Sequence, residues 1–307
     1  MNSNRPVETR LIEEAVLRAV AYGDIFDSPL RPAEIRRYLE RVPASQIEVE
    51  RAIEALDPHR LVRVDGYVCL AGREPLVAVR RDREVAAARL WPGARRCGRA
   101  VARLPWVRMV ALTGALAVDN VDDGADVDLL IVAEPGRVWL CRFFIVQQVR
   151  LFRLRGVEMC PNWVLSTERL ELEARDLHSA RELTQMVPLA GMEVYQRMRE
   201  LNRWADTLLP NAAGPPRDGP CVDTGGSLIS RVGEAMLGAR LGSRLESWMA
   251  GLKIREIRGH AGHSPEVVLD RHQCKGHVDG HGRRIADAYA LRLRSLSLPE
   301  SWAGDDP

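Results

Sequence analysis

The N-terminal part of the chain has apolar residues at the spacing that predicts three short helices. They recur every three or four positions over about residues 8–23, and a shorter run follows over 33–39. A third helix is predicted to begin after Ser45, because Glu48 lies three residues later and the two residues form a capping box. Local pattern alone therefore predicts a helical beginning to the fold.

A β-hairpin is predicted directly after these helices. Residues 61–70 alternate between apolar and polar on either side of Asp65 and Gly66, a pair that is typical of a tight turn. Three short helices followed by a hairpin indicate a winged helix-turn-helix-like domain over residues 1–74.

The third predicted helix argues against DNA as the partner of this domain. It carries Glu48, Glu50, Glu54 and Asp57 against the single cation Arg51. A helix that enters a phosphate-lined groove is expected to be basic at its exposed positions. We therefore expect a packing or protein-interaction role, with a protein partner bound through the winged helix.

A long arginine-rich helix is predicted over residues 75–104, with a possible interruption at Pro92 and Gly93. Such a run usually forms a solvated helix face, which is the interpretation we favour. The alternative is that some of its arginines face a phosphate-bearing ligand, since the helix leads directly into the apolar run over 109–112.

The segment that follows combines two apolar strands with a pair of carboxylates. An apolar run over 109–112 ends in the turn 113–115, and Asp126 and Asp128 then lead into a second apolar run over 129–132. Carboxylates two residues apart on a strand project from the same face and repel each other. A divalent cation between them relieves that repulsion, and Mg²⁺ binds one or two carboxylates together with substrate phosphates. The pattern therefore predicts a magnesium site.

The rest of the chain is predicted to be mostly helical, apart from one strand. That strand covers 157–165 and has Pro161 near its middle, which suggests an edge position or a bulge. Helices are predicted over 137–155, 178–186, 192–208, 227–252 and 282–296, and a Pro- and Gly-rich loop over 210–226. We therefore divide the remainder into a core over 75–175 and a mainly helical C-terminal region over 176–307.

Composition adds little to this picture. The 307 residues are 46% hydrophobic and 28% charged, and the net charge of +2 gives no reason to expect a nucleic-acid or membrane partner. The N-terminus has no apolar leader, and no apolar run approaches about 18 residues, so we expect a soluble, cytoplasmic protein. The six scattered cysteines are expected to be reduced and mostly buried.

The central segment resembles the polymerase-beta-like nucleotidyltransferase superfamily. Its signature is a strand, a Gly-containing turn, about ten residues, and then Asp-x-Asp at the start of the next strand; here Gly114 with Ala115 and Asp126 with Asp128 match it. A wider similarity to uncharacterised bacterial nucleotidyltransferase-domain proteins includes the winged helix and the strand that contains Cys160, Pro161 and Asn162. The fold implied is α+β, with an N-terminal winged helix, a central mixed β-sheet flanked by helices, and a helical C-terminal region.

The resemblance also implies roles for individual residues. Thr113, Gly114 and Ala115 would hold the nucleotide phosphates, with a helix starting after Gly114 directing its amides at them. Asp126 and Asp128 would bind Mg²⁺. The implied reaction moves a nucleoside monophosphate from a nucleoside triphosphate to an unidentified acceptor, for which a small molecule is favoured because no strongly basic surface is evident.

Two features depart from the family pattern. Ala115 lacks the hydroxyl that a serine would offer to phosphate. The family carries a third carboxylate on a later strand, but the plausible position in the strand 157–165 holds Asn162, and Glu158 is the only acid nearby. Glu158 is the candidate for the catalytic carboxylate if the strand register places it in the site. Later acids, Glu171 and Glu173, are further candidates. With Asn162 in that position the alternative is a catalytically silent fold that acts as a nucleotide- or protein-binding regulator.

A histidine-rich stretch near the C-terminus is the other candidate metal site. It contains His260, His263, His272, Cys274, His277 and His281. Zinc would need four nitrogen or sulfur ligands in tetrahedral geometry. A polar loop is the favoured interpretation, with His277 as a residue that could line the acceptor pocket.

Overall fold

A six-stranded mixed β-sheet flanked by helices forms the centre of the molecule, so the fold is α+β. The computed structural model describes residues 7–217, 219–225, 228–237, 239–261, 268–275 and 281–302. Its strands are β1 Leu61–Val64, β2 Tyr67–Leu70, β3 Val107–Leu112, β4 Val127–Ala133, β5 Met159–Ser166, β6 Val187–Ala190, β7 Val268–Leu269 and β8 Gln273–Lys275.

The helices surround this sheet and form most of the N-terminal unit. In chain order they are α1 Val7–Asp24, α2 Pro32–Arg37, α3 Gln46–Ala55, α4 Leu76–Ala102, α5 Gly114–Ala117, α6 Val138–Arg153, α7 Leu177–Gln185, α8 Met192–Leu201, α9 Trp204–Leu208, α10 Leu228–Met236, α11 Ala239–Ala261 and α12 His281–Ser295. None of these helices combines the length and the apolar character needed to cross a lipid bilayer.

The predicted N-terminal elements are confirmed. Ser45 caps α3 and accepts a hydrogen bond from the Glu48 amide, and the Glu48 side chain returns to the Ser45 amide. Asp65 and Gly66 both have positive φ, at 51° and 84°, which is the backbone that the turn between β1 and β2 requires. The helices and the hairpin share one apolar core, against which the C-terminal Trp302 also packs.

The central sheet has the strand order β6-β3-β4-β5-β8-β7. Strands β3 and β4 are antiparallel, β4 and β5 are parallel, and β8 is antiparallel to β5. Helices cover both faces of the sheet, so side chains that alternate along a strand pack into two separate cores. Residues such as Leu129 and Ile131 face α4, α6 and α11, whereas Leu130 and Val132 face α7, α8 and α9.

Several predicted boundaries were wrong. Helix α4 runs through Pro92 without interruption, because Trp91 and Cys97 on the same helix are buried in the core, and that packing outweighs the lost hydrogen bond. The predicted helices 192–208 and 227–252 are each two helices, α8 with α9 and α10 with α11.

The strand predicted around Pro161 is β5, and it is not at the edge, since β4 and β8 flank it. The other prediction for it, a bulge, is confirmed. Strands β6, β7 and β8 were not predicted. All three belong to the central sheet, although they come from the part of the chain after residue 175.

Candidate metal centre

The two predicted aspartates lie where β4 begins. Asp126 immediately precedes the strand and Asp128 is its second residue, with the buried Val127 between them. The backbone of Asp128 is held to the end of β3, because its carbonyl oxygen accepts a hydrogen bond of 3.0 Å from the Thr113 amide. By strand periodicity Asp128 shares the sheet face of Leu130, which is the face covered by α7, α8 and α9.

A bulge in β5 brings a third residue to this position. In the parallel register Cys160 lies opposite Asp128, and Pro161 opposite Leu129, whereas the next pair is Leu130 with Trp163. Asn162 is thus the extra residue of the bulge, and it reverses the alternation of side chains for the residues before it. As a result, Cys160 lies on the same face as Asp128. Ligand atoms of Asp126, Asp128 and Cys160 all lie within 4.8 Å of one another.

Gly114 is packed directly against this cluster. A Cβ atom built at Gly114 would overlap Oδ2 of Asp128 and lie 3.1 Å from its Cγ. The φ angle of Gly114 is +66°, in the left-handed region that favours glycine. Both the conformation and the space therefore require glycine here, and the turn after β3 contacts the carboxylate at the start of β4.

In the acidic loop before β4, the charges of three aspartates are neutralised by neighbouring arginines. Asp119 accepts a hydrogen bond of 2.7 Å from Trp91 Nε1 and forms an ion pair with Arg217. Arg83 pairs with Asp122 at 3.0 Å, and Arg89 lies 3.9 Å from Asp123.

Asp126 and Asp128 differ from these three loop aspartates. Neither has an arginine or lysine within ion-pair distance among the residues that the structure describes. Within the described residues, these two adjacent carboxylates therefore have no basic side chain as a partner, in a loop whose other three aspartates are paired with arginines.

The pKa of Asp128 reflects this arrangement. Burial is the largest cause that raises it, followed by the charges of Asp126 and Glu182, and together they bring the pKa from 3.8 to about 7; a hydrogen bond with Cys160 opposes the rise. Burial and the two aspartates raise the pKa of the Cys160 thiol to about 12. Near neutral pH the thiol is thus protonated and donates to Asp128.

Among the other predicted residues, Thr113 is buried and Ala115 is exposed. The predicted helix after Gly114 is α5, a single turn of four residues. The structure does not bring Glu158 into the cluster: it is exposed and its carboxylate pairs with Arg153 at 3.0 Å. Glu171 pairs with Arg175 at 2.7 Å.

The sequence favoured a solvated face for the α4 arginines, and Arg80 departs from that expectation because it is buried and holds elements of the fold together. Arg80 is 2% exposed and donates to Ser28 Oγ and to the Val118 carbonyl, while it pairs with Glu34. This residue connects the N-terminal helices to the loop that leads to Asp126.

The histidine-rich stretch is only partly described. His263 and His277 lie outside the described residues, as do the side chains of His260 and His281. His272 lies 3.5 Å from Glu168, and Cys274 accepts a hydrogen bond of 3.1 Å from Arg142. Within the described part of the chain, the cluster of Asp126, Asp128 and Cys160 is the group with metal-ligand spacing. All six cysteines are free thiols and four of them are buried.

Two residues near the centre were not predicted. Cys160 could not be found from strand periodicity, because the bulge at Asn162 reverses its direction. Glu182 lies on α7, far along the chain from Asp128, and only the packing of that helix on the sheet brings its charge close enough to affect Asp128.

Comparisons with protein-family models, with curated proteins and with solved structures gave no match for this chain. Inferences about its chemistry therefore depend on the geometry of the cluster and on the motif around it.

Proposed function

We propose that the chain is a Mg²⁺-dependent nucleotidyltransferase of the polymerase-beta-like type, with an N-terminal winged helix. One observation carries the proposal. In the acidic segment 119–128, three aspartates each have an arginine partner, whereas Asp126 and Asp128 lie together with no arginine or lysine within ion-pair distance among the described residues. Two ionised carboxylates this close repel each other, and a bound metal ion would let both stay ionised at neutral pH.

The ligand chemistry of the cluster fits a hard divalent cation in part. Asp126 and Asp128 would hold Mg²⁺ through carboxylate oxygens, which are the ligands that this ion prefers. The Cys160 thiol does not suit Mg²⁺, and at its raised pKa it remains a hydrogen-bond donor to Asp128. When bound, the ion would neutralise part of the negative charge of the triphosphate.

The turn Thr113–Ala115 is the proposed phosphate-binding element. Gly114 packs against Asp128, so the turn and the proposed metal ligands are in contact with each other. The absence of a side chain at Gly114 permits that contact. A nucleotide whose phosphates lie at this turn is therefore next to both aspartates.

In the proposed reaction an acceptor hydroxyl oxygen forms a bond to the α-phosphorus of the triphosphate. The bond from that phosphorus to pyrophosphate breaks, and the hydroxyl proton passes to a base. We assign the base to Glu182, which is exposed and whose charge raises the pKa of Asp128. It would replace Glu158, whose carboxylate is engaged by Arg153. The acceptor is proposed to be a small molecule.

A second candidate is a nucleotide-binding regulator without turnover. The observation that favours it is that the third member of the cluster is the Cys160 thiol, which lies opposite Asp128, while Glu158 is engaged by Arg153 outside the cluster. This alternative retains nucleotide binding and predicts no release of pyrophosphate.

The two candidates are separated by measuring both properties. Each nucleoside triphosphate is titrated calorimetrically in Mg²⁺, and pyrophosphate release is then assayed with pooled hydroxyl and amine acceptors. The Asp126→Ala and Asp128→Ala variants serve as controls. Binding with release that depends on both aspartates supports the enzyme, and binding alone supports the regulator. Absence of binding for all nucleotides contradicts both.

A further inference from the structure

Helix α10 exposes its apolar face to solvent. Leu228 and Met236 are each 75% exposed and Val232 is 45% exposed, and the three lie on one face at i, i+4 and i+8. Ser230, on the opposite face, is fully buried. A helix on the surface of a globular protein normally has the reverse arrangement, with its apolar stripe toward the core.

Polar contacts hold α10 in this orientation. Glu234 accepts a hydrogen bond of 2.9 Å from the Trp106 amide, lies 3.5 Å from Arg108, and accepts a hydrogen bond from Ser230. Gly233 is close against Pro105, where a Cβ atom would not fit without a shift. Because specific contacts attach the polar side, the exposure of the apolar side is a built feature of the fold.

Helix α11, which follows α10 in the chain, also exposes apolar residues. Leu241, Trp248 and Leu252 are exposed on it, at 54%, 63% and 40%. Its inward side is again attached by a carboxylate: Glu246 is buried and accepts hydrogen bonds from the amides of Trp139 and Leu140 at the start of α6. We call the six exposed residues Leu228, Val232, Met236, Leu241, Trp248 and Leu252 the α10–α11 apolar face.

The charged residues around this face are almost all basic. Arg231, Arg244 and Arg255 are exposed and have no carboxylate within ion-pair distance in the described part of the chain. The exposed acid on the described residues of the two helices is Glu256, which is paired with Lys253 at 2.6 Å. The net charge of +2 for the whole chain conceals this local excess of positive charge.

We propose that the α10–α11 apolar face docks on an anionic lipid surface. Exposed Leu, Met and Trp side chains interleaved with arginines are the combination by which interfacial helices bind such a surface, the apolar groups entering the headgroup boundary and the cations meeting lipid phosphates. A second copy of the chain fits less well, because an isologous contact would bring the same unpaired arginines together. This proposal replaces the expectation from bulk charge that no membrane takes part.

The test is flotation of the full-length protein with vesicles of phosphatidylcholine alone or of phosphatidylcholine mixed with phosphatidylglycerol. We expect flotation with the mixed vesicles, weakening as salt is raised, and about tenfold less with neutral vesicles. The double variants Val232→Ser/Met236→Ser and Arg231→Gln/Arg244→Gln should each lose about tenfold in binding to the mixed vesicles.

The matched control is Ile47→Ser/Val85→Ser, which removes two other exposed apolar side chains, 64% and 52% exposed, from α3 and α4. It should float like the wild type. Light scattering is run in parallel on the same samples. Equal flotation by all variants overturns the proposal, as does a wild-type dimer that the Val232→Ser/Met236→Ser variant abolishes. A monomer that floats with neither vesicle also overturns it.

Discussion

Replacement of Asp128 by asparagine should stabilise the metal-free protein at pH 8. The change removes one of two adjacent carboxylates but keeps the shape of the side chain and an oxygen that accepts the hydrogen bond from Cys160. In the wild type, folding places the Asp128 carboxylate in a partly buried position beside Asp126, which lowers the free energy of unfolding at pH 8. The uncharged asparagine of the variant removes this penalty.

The magnitude follows from the pKa of Asp128. It rises from 3.8 to about 7 on folding, so the folded state holds its proton more tightly than the unfolded state. Stability is therefore lost as the pH rises from about 4 to 7 and is constant above that range. The full shift corresponds to about 4 kcal/mol at most, and since solvent screens a partly exposed group, we expect about 2 kcal/mol at pH 8.

The assay is urea unfolding followed by tryptophan fluorescence, in EDTA, at pH 5 and pH 8. The gain in stability of Asp128→Asn over the wild type should be larger at pH 8 than at pH 5. Addition of Mg²⁺ should stabilise the wild type at pH 8 and have little effect on the variant. Asp123→Asn, which changes an acid that is 85% exposed, is the control and should shift stability by less than about 0.5 kcal/mol.

Two results would refute the reasoning. An Asp128→Asn variant that is no more stable than the wild type at pH 8 means that the carboxylate is not under electrostatic strain. A gain of equal size at pH 5 and pH 8 means that the effect does not come from ionisation of Asp128.

Three further predictions concern the residues around the aspartates. Gly114→Ala should destabilise the fold by about 1–3 kcal/mol in urea unfolding. The control is Gly136→Ala, which should lose less, because Gly136 has the same φ of +66° but open space where the methyl group would lie. Equal losses would show that the contact of the methyl group with Asp128 costs no stability. Cys160→Ser should change the Mg²⁺ affinity measured by calorimetry by less than about twofold, but it should lower the Cd²⁺ affinity about tenfold or more, because a thiolate suits the softer ion. Equal changes in affinity for both ions would exclude Cys160 from the metal site. Glu182→Gln should slow pyrophosphate release by about a hundredfold while the nucleotide affinity stays unchanged. Glu193→Gln on α8 is the control and should leave both properties unchanged. A parallel loss of nucleotide binding in Glu182→Gln would argue against a role of Glu182 as the base.

The elements that sequence analysis predicted well are those specified by neighbouring residues. The cap at Ser45, the turn at Asp65 and Gly66, and the alternation in β4 each act within a few positions, so their patterns are visible in the chain. Strands β7 and β8 have two and three residues and are stabilised by pairing with each other and with β5. Such short segments carry too few residues for a period to be recognised.

The same division applies to the candidate metal centre. Asp126 and Asp128 share a face because of strand periodicity, which the sequence shows directly. The direction of Cys160 depends on a bulge, and bulges have no reliable local signal beyond Pro161. The contribution of Glu182 depends on how α7 packs over the sheet, which is a tertiary property. Glu158 has the right position in sequence but is engaged by Arg153.

The central claim is that Asp126 and Asp128 hold the cation that binds nucleoside triphosphate. The most direct measurement is calorimetric titration of each triphosphate into the wild type, Asp126→Asn and Asp128→Asn, in Mg²⁺ and again in EDTA. We predict binding of at least one nucleotide by the wild type in Mg²⁺, and a loss of at least about tenfold in EDTA and in each variant. Nucleotide binding that is unaffected by EDTA and by both substitutions, or no binding of any nucleotide, would contradict the claim.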